Sequence, residues 1–336
     1  MYTVTDLSFG ENLKKSLSLL AKGIDVVNIP HYTCCVRMRY FSSLYLPERK
    51  ILVIFAAKVE PSGQVCLHDS NGMMLTRNEI KMIRALERKR ERDEQGLFLA
   101  EGPKVVGDLL GHFDCRMLVL TQEYLVREEK LVHEHVQSRK PSSLRVVSQQ
   151  ELERASLLQS PRDVLAVFEK PKSESFDLNI ANRELVIALD GVQDPGNVGT
   201  ILRIADWFGV KHILCSPDTA DVFSPKVVQA TMGAVARVRV HYQNLFELIK
   251  GVDEGVNVMG TYLDGENIYS TQLPSEGILL MGSEGHGISE EMGRLVTKRL
   301  HIPAVPCASG GSESLNVAVA TAICVSELKR NTLRDL

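Results

Sequence analysis

The sequence predicts an α/β protein: a C-terminal domain built on a mostly parallel sheet, preceded by a smaller α/β domain. Three observations carry this. From Leu185 onward, short apolar runs alternate with amphipathic segments, the pattern of strands and covering helices in a parallel sheet. A shorter alternation of the same kind runs from Gly96 to Phe168. Between the two lies Lys170–Asn182, a polar stretch that holds Pro171 and shows no periodicity, which reads as an interdomain linker. The expected division is therefore an N-terminal extension over 1–73, a small domain over 74–169, a linker over 170–183 and a larger domain over 184–336.

Residues 1–72 mix short apolar runs with scattered cysteines and keep neither a helical nor a strand period, so a weakly ordered extension is expected. The folded part is expected to begin near Met74, because Thr76 with Glu79 three residues on forms a capping-box signal. The helix that follows carries Ile80, Ile83 and Leu86 on one side. Its other side, from Lys81 to Arg92, is basic with acidic residues interleaved, and reads as a solvated face available to RNA. Strands are expected at Gly96–Glu101, Arg116–Leu120, Leu144–Val147 and Val164–Phe168. Ser148 and Glu151 form a second capping box between the last two.

In the larger domain, strands are expected at Leu185–Leu189, Lys211–Cys215, Ala236–His241, Val256–Tyr262, Gly277–Gly282 and Arg299–Val305. A long helix from Ser314 to Arg330 closes the chain. Three of these strands run into loops rich in glycine and polar residues, the end of a parallel sheet where ligands bind. The first loop is LDGVQDPGNVGTILR, Leu189–Arg203. Pro195 and Gly196 suit a sharp turn, Asn197 can cap the helix behind it, and Arg203, nearly two turns along, is expected to come back toward the same opening. Taken alone, Asn197 is an ordinary cap and Arg203 an ordinary surface charge. The second loop, LLMGSEGHGI, places Glu284 among Gly282, Gly285 and Gly287. His286, between two glycines, is poorly held for catalysis. The third, HIPAVPCASGGSESLNVAVA, runs from a strand end at Ile302 to a helix opened by Ser314, Leu315 and Asn316. Ser314 is the expected cap and Asn316 is expected two residues inside the helix, where asparagine is unfavourable unless its side chain makes a contact.

Composition narrows the function classes. The 336 residues carry a net charge of −3, so no global field draws polyanions, although a local basic patch still can. Seven cysteines without CxxC or CxxH spacing suit reduced thiols in a reducing compartment, hence a cytoplasmic protein without a structural metal. No run is long and apolar enough to span a membrane. Gly191, Gly196 and Gly199 do not fit the dinucleotide fingerprint, which argues against a nicotinamide-dependent oxidoreductase.

Together, DPGNVGTILR, GSEGHGI and IPA…SLNVAVA, in that order, resemble the three motifs of the SpoU (TrmH-like) branch of the SPOUT RNA methyltransferases. SPKVVQATMGAVARV (Ser224–Val238) is similar to the segment that family carries between its first two motifs. The resemblance covers the chain from about Thr76 onward, and residues 76–169 look like the small substrate-binding domain that many members carry in front. It implies a deep trefoil knot in the C-terminal domain, S-adenosylmethionine as cofactor, a homodimer, and methyl transfer to a ribose 2′-hydroxyl of structured RNA, ribosomal RNA ahead of transfer RNA. By the same resemblance Asn197, Arg203, Glu284, Ser314 and Asn316 match the polar catalytic set, and Gly282, Ile302 and Leu315 match cofactor-holding positions. Ala304, Ala318, Thr231 and the longer loop over Val305–Glu313 depart from the common pattern without removing a proposed catalytic group. A catalytically inactive RNA-binding protein of the same fold is the alternative.

Overall fold

The computed structural model describes residues 56–59, 65–68, 74–128, 141–172, 174–305 and 314–334. Strands β1 (Ala56–Val59) and β2 (Val65–His68) pair antiparallel within a unit, Met1–Met73, that is separate from Met74–Leu336. The rest of the expected weakly ordered extension lies outside the described residues.

The basic segment after Thr76 forms two helices, α1 (Arg77–Ala85) and α2 (Lys89–Gln95), where the sequence suggests one. The Thr76–Glu79 capping box forms as expected. The break comes at Leu86–Arg88. Arg92 turns inward, 2% exposed, and its guanidinium bonds the carbonyl oxygens of Leu86 and Glu87. Those carbonyls at the end of α1 thus gain a side-chain donor in place of a continuing helix. Arg92 therefore does not belong to the solvated basic face, whereas Arg77, Lys81, Lys89 and Arg90 do.

Next come β3 (Leu97–Glu101), α3 (Pro103–Leu110), β4 (Cys115–Thr121), α4 (Gln122–Arg127), β5 (Ser143–Val147), α5 (Gln149–Ala155) and β6 (Val164–Glu169). The four strands form a mixed sheet in the order β3-β6-β4-β5. One face buries Ile83, Leu86, Leu99, Val119, Leu152 and Leu165. The stretch expected to be an aperiodic linker is partly structured: Leu178–Asn182 is a 3₁₀ turn, and Phe176 enters the core of the larger domain.

That domain contains β7 (Leu185–Asp190), α6 (Pro195–Trp207), β8 (His212–Cys215), α7 (Pro225–Thr231), β9 (Arg239–Tyr242), α8 (Leu245–Lys250), β10 (Val258–Asn267), β11 (Gly277–Gly282), α9 (Glu290–Gly293), β12 (Lys298–His301), α10 (Val317–Leu328) and α11 (Arg330–Arg334). All six strands run parallel in the order β12-β10-β11-β7-β8-β9. Both faces are covered, which is why β7 and β11 are apolar almost throughout. Val186, Ala188, Ile278 and Leu280 meet Leu245, Ile249 and Met292 on one face. On the other, α10 packs on α6 and β11. Strand boundaries differ from expectation at three places, the first being β10, which runs on to Asn267 and does not end at Tyr262. Residues 234–236 are a 3₁₀ turn, so β9 starts at Arg239, and β12 ends at His301, because Pro303 lacks the amide hydrogen a ladder needs.

At the β8–β9 edge, His212 and His241 stack with ring centroids 5.4 Å apart, both against Phe176. The Glu174 carbonyl can only accept, so His241 Nδ1 donates to it at 3.3 Å. His241 Nε2 is then the acceptor for His212 Nδ1 at 3.2 Å. Burial holds both imidazoles below their ordinary titration range. A His with a depressed folded pKa contributes its stability above the unfolded value, near 6.5, and loses it as pH falls through the folded value. The thermal midpoint is therefore expected to drop between pH 7 and pH 5. Thermal unfolding across that range should show a shallower drop in His241→Phe.

Candidate active site

A parallel sheet delivers the carboxyl ends of its strands to one edge. Here that edge gathers Asp190 at the end of β7, Gly282 at the end of β11 and His301–Ile302 at the end of β12. The three motif loops therefore leave the same edge of the sheet, those after β7 and β11 side by side and that after β12 beyond β10.

The first turn works differently from its sequence reading. The positive φ falls on Gly191, at 69°, and Gly196 is already helical. Asp194 caps α6, its Oδ1 accepting from the Asn197 amide at 2.8 Å, with Pro195 at the first helical position. Asn197 is thus inside the first turn, and its side chain is released from capping. At the third loop the roles also change. Asn316, not Ser314, caps α10, with Oδ1 accepting from Ala318 N at 3.0 Å and Val319 N at 3.3 Å. Asparagine favours that position, which removes the helix-propensity objection.

These placements fix a chain of amides. Because Asn316 Oδ1 is held by the helix amides, its Nδ2 donates outward, to Asn197 Oδ1 at 2.9 Å. Asn197 Nδ2 then donates to Glu284 Oε1. One residue from each motif is joined in a single hydrogen-bonded line, from the positive end of α10 to a carboxylate. Asn316→Ala removes a cap, worth about 1 kcal/mol, and frees Asn197 to rotate. A small fall in the thermal midpoint with a much larger loss of the methyl transfer that the family resemblance implies is the expected outcome, read by calorimetry beside a radiolabelled-methyl assay.

Glu284 is aimed by a tight turn. Ser283 and Gly287 exchange both backbone hydrogen bonds, at 3.0 and 2.9 Å, and Gly287 sits at φ 68°. Gly282 is required by that turn: a Cβ there would lie 2.1 Å from the carbonyl carbon of Gly287. His286 only donates its backbone amide to Ser283 Oγ.

The Arg203 side chain is exposed and makes no hydrogen bond or ion pair among the described residues, so it stands outside the amide chain. The reason is helical geometry: six residues turn about 600°, leaving Arg203 about 120° from Asn197 around α6. It lies instead on an exposed stripe with Gly196, Thr200 and Trp207, the last 84% exposed. Ser314 and Leu315 are exposed just before α10, and Ile302 is half-buried after β12. Most of the longer third loop, Pro306–Glu313 with Cys307, lies outside the described residues.

One segment carried no sequence signal. In β10, Thr261 and Glu266 both pair with Leu300, so residues 262–265 bulge out beside β12. Leu263 in that bulge is 75% exposed. Thr261 Oγ1 reaches Met281 Sδ at 3.8 Å, which puts the bulge level with Gly282. Leu263, Ile302 and Leu315 give this edge apolar side chains near the Ser283–Gly287 turn, a contact set suited to the apolar faces of a nucleoside. Among the described residues no three His, Cys, Asp or Glu gather as metal ligands would.

Known proteins match this arrangement. Residues 184–326 match the model of the SpoU rRNA methylase family, and residues 77–166 that of the MRM3-like substrate binding domain. The 23S rRNA (guanosine(2553)-2′-O)-methyltransferase RlmP of Bacillus subtilis is 30% identical over 259 residues, which cover 75% of this chain and 96% of that protein. A TrmH-family protein from Porphyromonas gingivalis has a similar structure, with 41% identity and a TM-score of 0.68 over 77% of this chain and 99% of its own. An AdoMet-bound rRNA methyltransferase from Sinorhizobium meliloti follows, with 31% identity and a TM-score of 0.65 over 77% and 97% of the two chains. With its three motif loops joined at one sheet edge and near full-length relatives of this kind, the chain belongs to the SpoU family.

Proposed function

We propose that the protein transfers a methyl group from S-adenosylmethionine to a ribose 2′-hydroxyl of structured ribosomal RNA. The observation that carries this is the Asn316–Asn197–Glu284 line, which ties all three motif loops together at the ligand end of the sheet. The named relatives act on ribosomal RNA, which favours that substrate over transfer RNA.

Gly282 and its turn, Ile302 and Leu315 are the residues to hold the cofactor, with Leu263 added from the β10 bulge. When bound, S-adenosylmethionine supplies an electrophilic methyl group on a sulfonium. What this chain must supply is position: the ribose oxygen held in line with that methyl group, while its proton passes to solvent by way of the adjacent RNA phosphate as the new bond forms. Arg203 is free to take an RNA phosphate with its planar fork and to stabilise charge developing at the sugar. A guanidinium stays protonated, so it acts as a charge and not as a base. Asn197 and Asn316 hold the Glu284 carboxylate in place, and Ser314, which is exposed, touches substrate in this reading.

Two further features belong to this reading. A trefoil knot suits a chain whose last strand lies at one edge of the sheet while its last long helix returns to α6 near the middle. A homodimer suits α10, VAVATAICVSEL, which is apolar around nearly its whole circumference yet leaves Val319 48% exposed. No helix among the described residues is long and apolar enough to cross a membrane. Cys115, Cys215 and Cys324 are free and buried, with the Cys115 and Cys324 thiols pushed up to about 12 by burial, which suits a reducing cytoplasm.

The test is transfer of labelled methyl from S-adenosylmethionine to transcribed 23S rRNA, followed by nucleoside mass spectrometry. A 2′-O-methylated nucleoside supports the reading. RNA binding without transfer points to an inactive binding protein of the same fold.

A further inference from the structure

The substrate-binding domain and the methyltransferase domain share a buried ion pair. Arg92 Nε and Nη2 both donate to Asp221 Oδ2, at 3.0 and 2.6 Å, with the two side chains 3% and 10% exposed. All three guanidinium nitrogens are in use, because Nη1 serves the Leu86 and Glu87 carbonyls at the end of α1. The other carboxylate oxygen, Oδ1, accepts from Phe223 N at 3.0 Å. Phe223 in turn packs on Phe98 of the small domain, ring centroids 4.8 Å apart.

The loop holding Asp221 leads back to the active site. Ala220 N donates to Val192 O at 3.0 Å, Thr219 Oγ1 to Leu189 O at 3.0 Å, and Gly191 N to Ser216 Oγ at 2.9 Å. Leu189–Val192 is the turn that enters the Asp194 cap and delivers Asn197. Directional bonds therefore run without interruption from the end of α1 to the first motif. A buried ion pair adds little stability over an apolar pair of the same shape, but it accepts only one geometry.

We propose that Arg92 and Asp221 are positioning residues for methyl transfer, fixing the reach between the RNA docked on the small domain and the target ribose. This rests on the methyl-transfer reading above. It makes the two domains one rigid ruler, so that the enzyme selects RNA whose docking element and target nucleotide lie at one separation. Neither residue touches the reacting atoms.

Asp221→Asn tests this cleanly, since the carboxylate uses both oxygens and an amide can serve Phe223 or Arg92 but not both. Arg92→Lys keeps the charge and loses the fork. Spin labels on non-canonical residues at exposed positions 116 and 250, one in each domain of the full chain, report their separation. A narrow distance distribution is expected in the parent and a broadened one in both variants. For 23S rRNA transcript, kcat/KM should fall by up to about 10²-fold, while S-adenosylmethionine affinity stays unchanged. Equally narrow distributions in parent and variants overturn the proposal, as does a parent-like kcat/KM on long RNA. If the parent transfers no methyl group at all, the methyl-transfer reading fails, and with it the role assigned here, while the distances still show whether the pair locks the domains.

Discussion

Arg203→Ala is expected to reduce kcat for methyl transfer by about 10²–10³-fold, the usual cost of removing one preorganised charge or donor from a developing anion. It should leave S-adenosylmethionine affinity and the thermal midpoint close to those of the parent. The structure gives the reasons for that split. The side chain is exposed and has no partner among the described residues, so its loss strands nothing in the folded state. It also stands about 120° around α6 from Asn197, away from the amide chain that orders the loops, so the cofactor side should not notice it. An exposed, unpaired guanidinium on a helix bordering the ligand edge is free to take a phosphate. Arg203→Lys should recover part of the rate, because an ammonium keeps the point charge but not the two-pronged geometry. Single-turnover transfer beside calorimetric titration of the cofactor separates the two effects. Undiminished transfer by the alanine variant would remove Arg203 from the mechanism and move attention to Ser314.

The strand–helix alternation, the two capping boxes and the three ligand-end loops were all legible in the sequence, because each rests on local chemistry: apolar period, cap residues, glycine. What the sequence left illegible depends on which neighbour a side chain meets. Asp194 and Asn197 are both good caps by type, and only the path of the turn decides that Asp194 caps while Asn197 faces Glu284. Asn316 looked out of place inside a helix because the helix start was set two residues early. Arg92 stood in a run of surface charges, and nothing local distinguishes it; its partner Asp221 lies 129 residues away in sequence. The β10 bulge is invisible for the same reason, since it arises from a shift of register against β12.

Gly282→Ala carries the second large effect, and it acts through backbone. The added Cβ would lie 2.1 Å from the carbonyl carbon of Gly287, 2.2 Å from Ile288 N and 2.3 Å from Gly287 O. None of these atoms ends a flexible side chain, so no rotamer change relieves the overlap. The turn must swing away from the end of β11, breaking the paired bonds between Ser283 and Gly287 and withdrawing Glu284 from Asn197. Overpacking of this kind costs about 1–3 kcal/mol, so the protein should still fold at room temperature with a lowered thermal midpoint. S-adenosylmethionine binding should be lost with it, and methyl transfer should fall at least as far as in Arg203→Ala. Gly285→Ala is the internal control. It lies three residues on in the same turn, its φ is not in the left-handed region, and a Cβ there meets nothing within 4 Å. Its stability should match the parent, so any loss of binding in that variant reports ligand contact and not a displaced loop. Parent-like cofactor affinity in Gly282→Ala would show that the second motif does not shape the cofactor site. Glu284 would then stand as a structural anchor for Asn197 and nothing more.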